Sequence, residues 1–368
     1  MKVKLTDICT PKQWKTISTS QLQESGFPVY GANGVIGFYN EYNHENPTIL
    51  ITCRGATCGT INISQEKSYI NGNAMCLDNL SSNVELKYLY YFLKAYDFKR
   101  IISGSAQPQI IRENLKKIIL DVPDKGKQFK IISTLNKISE LIALYAGLLN
   151  RLDILIKSRF IEMFGDPIGN EMCWKKVPLS FCIESIENGK SFVCQPEARQ
   201  GDWPAILKLS AATYGFYRPD ENKALLDESH FIERVAIKAG DLLFTRKNTP
   251  DLVGMCAYVY DTPPKLMMPD LIFRLNTTKI CNKVFLWKLI NHDSFRKRIQ
   301  AIATGSAKSM SNISKERLLN IKIILPPLNL QESFEAFVAQ VNKSKVKIQN
   351  SLAKLETLKK SLMQEYFA

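Results

Sequence analysis

Histidine, which builds many metal and acid–base catalytic sites, is scarce in this chain of 368 residues. Its three histidines (His44, His230 and His292) lie far apart in the sequence and offer such chemistry little material. Its nine cysteines are scattered and include no Cys-x-x-Cys pair, so neither a disulfide framework nor a structural zinc site is expected. The sequence therefore predicts no metal site, no catalytic residue, and reduced cysteines in a cytoplasmic protein.

Motifs of cofactor-binding and membrane proteins are also missing. There is no G-x-x-x-x-G-K-[ST] phosphate loop and no Asn-Pro-Pro-aromatic run of the kind that amino-methyltransferases use. Gly31, Gly34 and Gly37 lack the G-x-G-x-x-G spacing of a dinucleotide loop. Residues 138–149 are too short a stretch to cross a bilayer, and the first residues lack the apolar core of a signal peptide. We expect a binding protein with no cofactor of its own and no membrane span.

Positive charge is what the chain has in excess. Lys and Arg number 49 and Asp and Glu 35, which gives a formal net charge of +14. A surplus of this size favours a polyanionic partner over a small acidic substrate. The composition leaves two such partners, nucleic acid and an anionic membrane surface.

The chain repeats itself with an offset of 203 residues. Residues 113–164 align with residues 316–367 without a gap and share 12 of 52 positions, among them Gln128 with Gln331. Just upstream, Gly104-Ser105-Ala106 matches Gly305-Ser306-Ala307. Two copies are too few for a solenoid. The sequence therefore predicts a duplicated two-part module, in the order globule, long segment, globule, long segment.

Each long segment has the pattern of one long helix. In the first, apolar residues from Leu135 to Ile156 recur at steps of three and four, and Gly165 followed by Pro167 ends the helix. A helix over 128–164 is about 55 Å long, and we expect the second segment to be its antiparallel partner. Apolar residues beside this seam make the strip wider than a contact between two helices needs, which predicts docking of another polypeptide. A simple hairpin of the two helices is the alternative. The predicted partner-binding residues are Leu141, Leu144, Leu148, Leu149, Leu152, Leu352 and Leu355.

The globular parts read as short strands and turns with a few helices. In the first, residues 29–39 have the Asn-Gly turn and alternation of a β-hairpin, 48–53 form a strand and 85–94 a helix. In the second, the strand over 241–246 matches the one that ends at Arg54, and 284–298 form a helix. The two globules share a plan but little sequence, so we expect a common spacer that carries two different surfaces.

Polar side chains suited to nucleic acid follow these strands and turns. The guanidinium groups of Arg54 and Arg246 can bond guanine O6 and N7 bidentately, and asparagine amides can bond adenine N6 and N7. The Gly-Ser-Ala loops are small and polar enough to approach phosphates or base edges. A solvated loop or an internal hydrogen bond is the alternative for any one residue. The predicted DNA-binding residues are Tyr30, Asn33, Arg54, Asn73, Gln107, Gln109, Thr245, Arg246, Lys247, Asn248, Lys308 and Ser311.

Five stretches form a specific combination: YGANGVIG at 30–37, ILITCRG at 49–55, INGNA at 70–74, GSAQPQ at 104–109 and LIKSRFIEMFGDP at 155–167. In this combination and in its duplicated layout, the sequence resembles the specificity (S) subunit of Type I restriction–modification systems. The likeness covers essentially the whole chain. The second globule departs from the pattern, because Lys247 instead of Gly follows Arg246 and there is no Tyr-Gly-x-Asn-Gly hairpin.

The resemblance implies an α+β fold class, with two α/β target-recognition globules separated by two long antiparallel coiled-coil-like helices in a pseudo-twofold internal repeat. It implies target-recognition domain 1 at residues 1–125, a central helical region at 126–168, target-recognition domain 2 at 169–328 and a C-terminal helical region at 329–368. Such a chain is a non-catalytic reader of double-stranded DNA, and each globule binds one half of an asymmetric bipartite target.

The resemblance also implies partners. Two modification (methyltransferase) subunits would dock on the helices, and restriction (nuclease-translocase) subunits would join them. S-adenosylmethionine, ATP and Mg²⁺ would bind in those partner subunits and not in this chain. Two other interpretations stay open, namely a stand-alone restriction or methylation enzyme and a two-headed scaffold that binds proteins instead of DNA.

Overall fold

The structure is a computed structural model that describes residues 2–31, 33–104, 108–305 and 310–367. The chain forms two compact units, the first from residues 1–148 and 348–368 and the second from residues 149–347. Up to the first long helix the elements are β1 (Lys2–Lys4), α1 (Leu5–Ile8), β2 (Thr10–Lys12), β3 (Phe27–Gly31), β4 (Gly34–Tyr39), β5 (Ile49–Thr52), β6 (Ile61–Ile63), β7 (Tyr69–Ile70), β8 (Ala74–Asp78), α2 (Leu86–Ala95), α3 (Arg112–Leu115), β9 (Ile119–Asp121) and α4 (Lys125–Phe164).

The same plan follows in the second half of the chain. Its elements are β10 (Lys176–Pro178), β11 (Ile183–Asn188), β12 (Ala205–Leu207), β13 (Asn222–Ala224), β14 (Leu242–Thr245), β15 (Lys247–Asn248), β16 (Cys256–Tyr258), β17 (Leu266–Met267), β18 (Ile272–Thr277), α5 (Lys283–Ile290), α6 (Asp293–Ala301), β19 (Ser311–Asn312), α7 (Lys315–Leu319), β20 (Lys322–Ile324) and α8 (Leu328–Phe367). Among the described residues, no helix is both long enough and apolar enough to span a membrane.

The first unit contains a four-stranded sheet in the order β2-β8-β5-β6 and a three-stranded sheet in the order β4-β3-β7. Successive side chains of a strand point to opposite faces, and β5 uses both faces for packing. Ile49 and Ile51 pack into the main core with α2, whereas Leu50 packs with Tyr30 and Ile70 in a smaller cluster. The predicted hairpin is confirmed, with β3 and β4 joined at residues 32–33.

The second unit repeats both sheet orders, as β11-β18-β14-β16 and β13-β12-β17. The single helix expected over 284–298 is wrong, because the structure has α5 and α6 with a break at Asn291. The Asn291 side chain bonds the backbone of Cys256 at 2.9 and 2.8 Å, and the His292 ring caps α6 by accepting from the Ser294 amide. Burial lowers the pKa of His292, which also stacks on Phe160.

The two long helices have 40 residues each and are antiparallel within each unit. In the second unit, Phe164 near the end of α4 contacts Phe334 near the start of α8, and Asp153 pairs with Lys345 at 2.6 Å. In the first unit, Phe367 at the end of α8 packs on a core that includes Ile131 near the start of α4. The predicted helices and their orientation are thereby confirmed. The four predicted domains, whose three boundaries lie near the ends of the long helices, stay a prediction, whereas the compact units divide each helix.

One buried glutamine attaches each long helix to its globule, and it is the repeated pair found in the sequence. Gln128 and Gln331 are both fully buried. The Gln128 carboxamide accepts from the Glu85 amide at 2.8 Å and donates to Asn83 and Pro123 oxygens, both at 2.9 Å. Gln331 accepts from the Asn282 amide at 2.8 Å and donates to Ile280 and Pro326 oxygens at 3.2 and 2.8 Å. These bonds join the starts of α4 and α8 to the N-termini of α2 and α5.

Candidate nucleic-acid interface

In the first unit, two loops meet where β5 ends. Arg54, directly after β5, forms an antiparallel bridge with Gln109. The Ile110 amide donates to the Cys53 oxygen at 2.9 Å, and the Gly55 amide donates to the Pro108 oxygen at 3.1 Å. Arg54 is exposed, so the backbone pairing fixes its position while its side chain extends to solvent.

Asn33 and Asn73 lie at the same end of the two sheets as Arg54. Ala74 pairs with Thr52, the last residue of β5, so Asn73 comes immediately beyond this pair. The parallel strands β3 and β7 both end nearby, and Asn33 is in the turn that follows β3. Both asparagines are exposed. Asn33, Arg54, Asn73 and Gln109 thus form one polar edge, which we call the first loop edge.

Tyr30, which was also predicted for this interface, lies in the core of the first unit. Tyr30 is only 6% exposed, packs with Leu50 and Ile70, and its hydroxyl accepts from the Gln65 amide at 3.1 Å. Its ring belongs to the core in this structure, so the geometry gives no support to its predicted contact with DNA. Gln107 lies outside the described residues.

In the second unit, the corresponding loops pair in the same way. β15 and β19 are antiparallel, with Lys247 opposite Asn312 and Asn248 opposite Ser311. The Ile313 amide donates to the Arg246 oxygen at 2.8 Å. We call Arg246, Lys247, Ser311 and Asn312 the second loop edge. Lys308, predicted for the same place, lies outside the described residues.

The backbone hydrogen bonds show which residues of the two loop edges are equivalent. The sequence matched Arg54 with Arg246, but the hydrogen bonds match Arg54 with the next residue. Thr52 and Thr245 bond equivalent neighbours, because their oxygens accept from the amides of Gly59 and Gly254 respectively. One position on, the oxygens of Cys53 and Arg246 accept from the amides of Ile110 and Ile313. Lys247, and not Arg246, is therefore the structural counterpart of Arg54, and the earlier match is wrong by one residue.

The side chains at the second loop edge differ in whether they already make contacts within the protein. Both Nε and Nη2 of Arg246 lie 3.4 Å from Oδ1 of Asn312, and its guanidinium is 5.0 Å from the Phe273 ring. Thr245 and Asn248 are buried, and the Asn248 amide donates to the Thr213 hydroxyl at 3.1 Å. Lys247 is half-buried and has no ion pair among the described residues. Lys247 and Ser311 are thus the most available of the predicted groups that the structure describes here.

The leucines predicted to bind a partner differ in exposure. Leu141 and Leu144 are 42% and 54% exposed, whereas the other five are half-buried. The heptad residues at the helix ends, such as Leu135 and Ile156, are buried as expected for a seam. The sequence reasoning did not select several further exposed apolar side chains on the long helices, namely Phe129, Ile154, Leu155, Ile161, Leu328, Val346 and Leu358.

The first unit contains one cysteine beside Arg54 and one cluster of possible metal ligands elsewhere. Burial raises the pKa of the Cys53 thiol to about 11, so beside Arg54 it stays protonated at neutral pH and is no activated nucleophile. His44, Cys76 and Asp78 place possible metal-donor atoms within 4.8 Å of one another. His44 is held by contacts of 2.7 Å to Asn43 and 3.0 Å to Asp78, which explain the cluster without an ion. The prediction of no metal site stays untested.

A loop that the sequence reasoning missed adjoins the second loop edge. Residues 208–221 connect β12 to β13 and contain exposed Tyr214 and Phe216, and Thr213 bonds Asn248. Its signal in the sequence is the run Tyr214-Gly215-Phe216-Tyr217-Arg218, in which aromatic residues stand next to glycine and arginine. The run has no counterpart in the first globule and was therefore invisible to a search for repeats.

Comparison with known protein families gives one match over most of the chain. A family model described as "Type I restriction modification DNA specificity domain" matches residues 1–153 and 180–360. The EcoEI specificity subunit from Escherichia coli is 32% identical over 169 residues, which are 45% of this chain and 27% of that protein. The EcoKI specificity subunit from Escherichia coli K12 is 23% identical over 269 residues, 71% of this chain and 55% of that protein. The chain thus spans less than two thirds of these relatives.

Solved structures share the fold at low sequence identity. A Type I restriction–modification S subunit from M. genitalium superposes with a TM-score of 0.66 at 15% identity, covering 100% of this chain and 96% of that one. A chain from a structure on complex assembly and conformational transition of the type I R-M system has a TM-score of 0.55 at 14% identity, covering 100% and 97%. At these identities the likeness shows the arrangement of the fold.

Proposed function

Because the chain belongs to the family of Type I restriction–modification DNA specificity proteins, we propose that it is the sequence-recognition subunit of such a complex. Each globule binds one half of an asymmetric bipartite target in double-stranded DNA. The two helices, each about 60 Å long at 1.5 Å per residue, act as the spacer between the half-sites. The chain itself performs no catalysis.

One observation carries this proposal: a single backbone arrangement presents different side chains at the two loop edges. Arg54 and Gln109 occupy in the first unit the positions of Lys247 and Asn312 in the second. Arginine matches guanine bidentately, whereas lysine is a point charge with a different hydrogen-bond geometry. Two equivalent backbone arrangements that carry different side chains are suited to binding two different half-sites. The net charge of +14 favours the phosphate backbone that runs beside them.

The partners follow from the exposed part of the long helices. Leu141 and Leu144 leave apolar surface uncovered on α4. We propose that two modification subunits cover this strip and its counterpart on α8, and that restriction subunits join the complex through them. S-adenosylmethionine, ATP and Mg²⁺ are then bound by these partners in the cytoplasm.

Reconstitution with the cognate modification subunits tests the proposal. The complex is incubated with plasmid DNA and S-adenosylmethionine, and methylated adenines are mapped by sequencing. We expect an asymmetric, gapped motif that appears only when this chain is present. Sequence-specific methylation without this chain would refute the proposal.

Two controls separate the alternatives. Methylation or cleavage by the purified chain alone would favour an enzyme. A randomised-duplex selection that shows no sequence preference, even with all partners present, would favour a protein scaffold.

A further inference from the structure

The loop at residues 208–221 occupies in the second unit the place that Asn33 has in the first. β3 pairs in parallel with β7 and antiparallel with β4, and β12 pairs in the same way with β17 and β13. The β3–β4 connection is residues 32–33, between paired Gly31 and Gly34. The β12–β13 connection is residues 208–221, between paired Leu207 and Asn222. A short polar turn in one unit is therefore replaced by a long aromatic loop in the other.

This loop exposes two aromatic rings around an arginine. Tyr214 and Phe216 are 54% and 52% exposed. The Arg218 guanidinium lies 4.8 Å from the Tyr214 ring and 5.6 Å from the Phe216 ring, and its Nη2 donates to the Ser210 oxygen at 2.7 Å. Cation–π contact of this kind holds the rings in place. Large exposed apolar groups beside a basic edge mark a contact surface.

The loop is rigidly attached to the second unit. The Gly215 oxygen accepts from Trp287 Nε1 at 2.8 Å, and the Thr213 hydroxyl accepts from Asn248 of β15 at 3.1 Å. Gly215 has φ +84°, and a Cβ there would come within 3.3 Å of Met255 and Asn291, so only glycine fits without strain. The rings therefore lose little conformational freedom when they bind a partner.

We propose that Tyr214 and Phe216 read thymine in the half-site bound by the second globule, an inference that rests on the proposed function. The 5-methyl group of thymine is the apolar group that base edges present in the major groove, and an aromatic ring can contact it. The hydrogen bond from Asn248 to Thr213 attaches this loop to the strand that carries Lys247, so a duplex bound at Lys247 would lie beside the loop.

The test uses the complex with modification subunits and an unmethylated duplex. This duplex carries the recognition motif that methylation mapping identifies. Uracil replaces thymine in the second half-site, which removes only methyl groups. We expect the wild-type complex to bind this duplex about fourfold more weakly per contacted methyl, the effect of losing one buried methyl contact. Phe216→Ala and Tyr214→Ala should weaken binding to the thymine duplex and respond less to uracil. Both variants should keep the wild-type preference for the first half-site, which shows that the complex is folded.

Phe181→Ala is the matched control, because Phe181 is an exposed aromatic residue of the same unit that lies outside the loop. It should leave the preference for both half-sites unchanged. An equal response to uracil in the wild type and in both loop variants would overturn the proposal, although a gapped motif would still uphold the proposed function. Weaker assembly with modification subunits at unchanged base preference would assign the rings to a protein contact and also overturn it. No sequence preference in the wild-type complex would refute the proposed function itself.

Discussion

Replacing Gln128 with methionine should destabilise the first globule and leave the second unaffected. Methionine keeps the side-chain volume but removes three hydrogen bonds, with the Glu85 amide and the Asn83 and Pro123 oxygens. A lost hydrogen bond costs about 1 kcal/mol net, and more where a buried group keeps no partner. We therefore expect the free energy of local opening around α2 to fall by about 2–4 kcal/mol. At about 1.4 kcal/mol per factor of ten, amide hydrogen exchange in α2 should become roughly 30- to 700-fold faster.

Hydrogen exchange measured by mass spectrometry resolves the two globules in one experiment. Gln331→Met is the reciprocal variant, and it should accelerate exchange in α5 instead of α2 because Gln331 accepts from the Asn282 amide. Gln340→Met is the control, since Gln340 is exposed on α8 and its replacement should change neither region. An acceleration below about threefold in Gln128→Met, or an equal acceleration in α2 and α5, would refute the role assigned to the buried glutamines.

Three further outcomes are expected. Arg54→Ala should relax one half-site and Lys247→Ala the other, each by about 1–3 kcal/mol of discrimination in methylation mapping, and loss of selectivity in the same half for both would contradict two separate readers. Joint Leu141→Asp and Leu144→Asp should abolish co-purification with modification subunits while hydrogen exchange in α2 stays normal; intact complexes would refute the docking strip. Burial lowers the pKa of His292 in the folded state, so the unfolded state binds the proton more readily. The stability that the neutral ring contributes is therefore lost as the pH falls below about 6.5. His292→Asn keeps the cap acceptor and should flatten the decline in thermal stability between pH 7 and 5; a decline as steep as the wild type's would rule this out.

The sequence predicted the features that depend on local chemistry and periodicity. The steps of three and four from Leu135 to Ile156 and the stop at Gly165 predicted α4, which ends at Phe164. The Asn33-Gly34 dipeptide predicted the turn between β3 and β4. The repeat of Gln128 at Gln331 was visible in the sequence as an identity, and its reason became clear only from the shared hydrogen bonds. The helix and the turn follow from local backbone preferences, which a single sequence displays.

The features it did not predict depend on tertiary pairing. The match of Arg54 to Lys247 is set by which oxygen accepts from Ile110 or Ile313, residues far away in the sequence. Tyr30 was expected at the interface, but its hydroxyl finds the Gln65 amide and its ring fills a gap beside Leu50. A tyrosine in a strand has the same local pattern whether it faces solvent or the core. The DNA-contact roles of the remaining polar residues stay predictions.

The discontinuity of the first unit has a consequence for its synthesis on the ribosome. Tyr366 and Phe367 pack against its core, and the nascent chain acquires them about 220 residues after Leu148. At about 5–20 residues per second, this corresponds to a delay of roughly 10–40 s. During this time Tyr88 and Phe92 of α2 lack their packing contacts with Phe367. Packing of the first globule's core is thus finished only after Tyr366 and Phe367 have been synthesised.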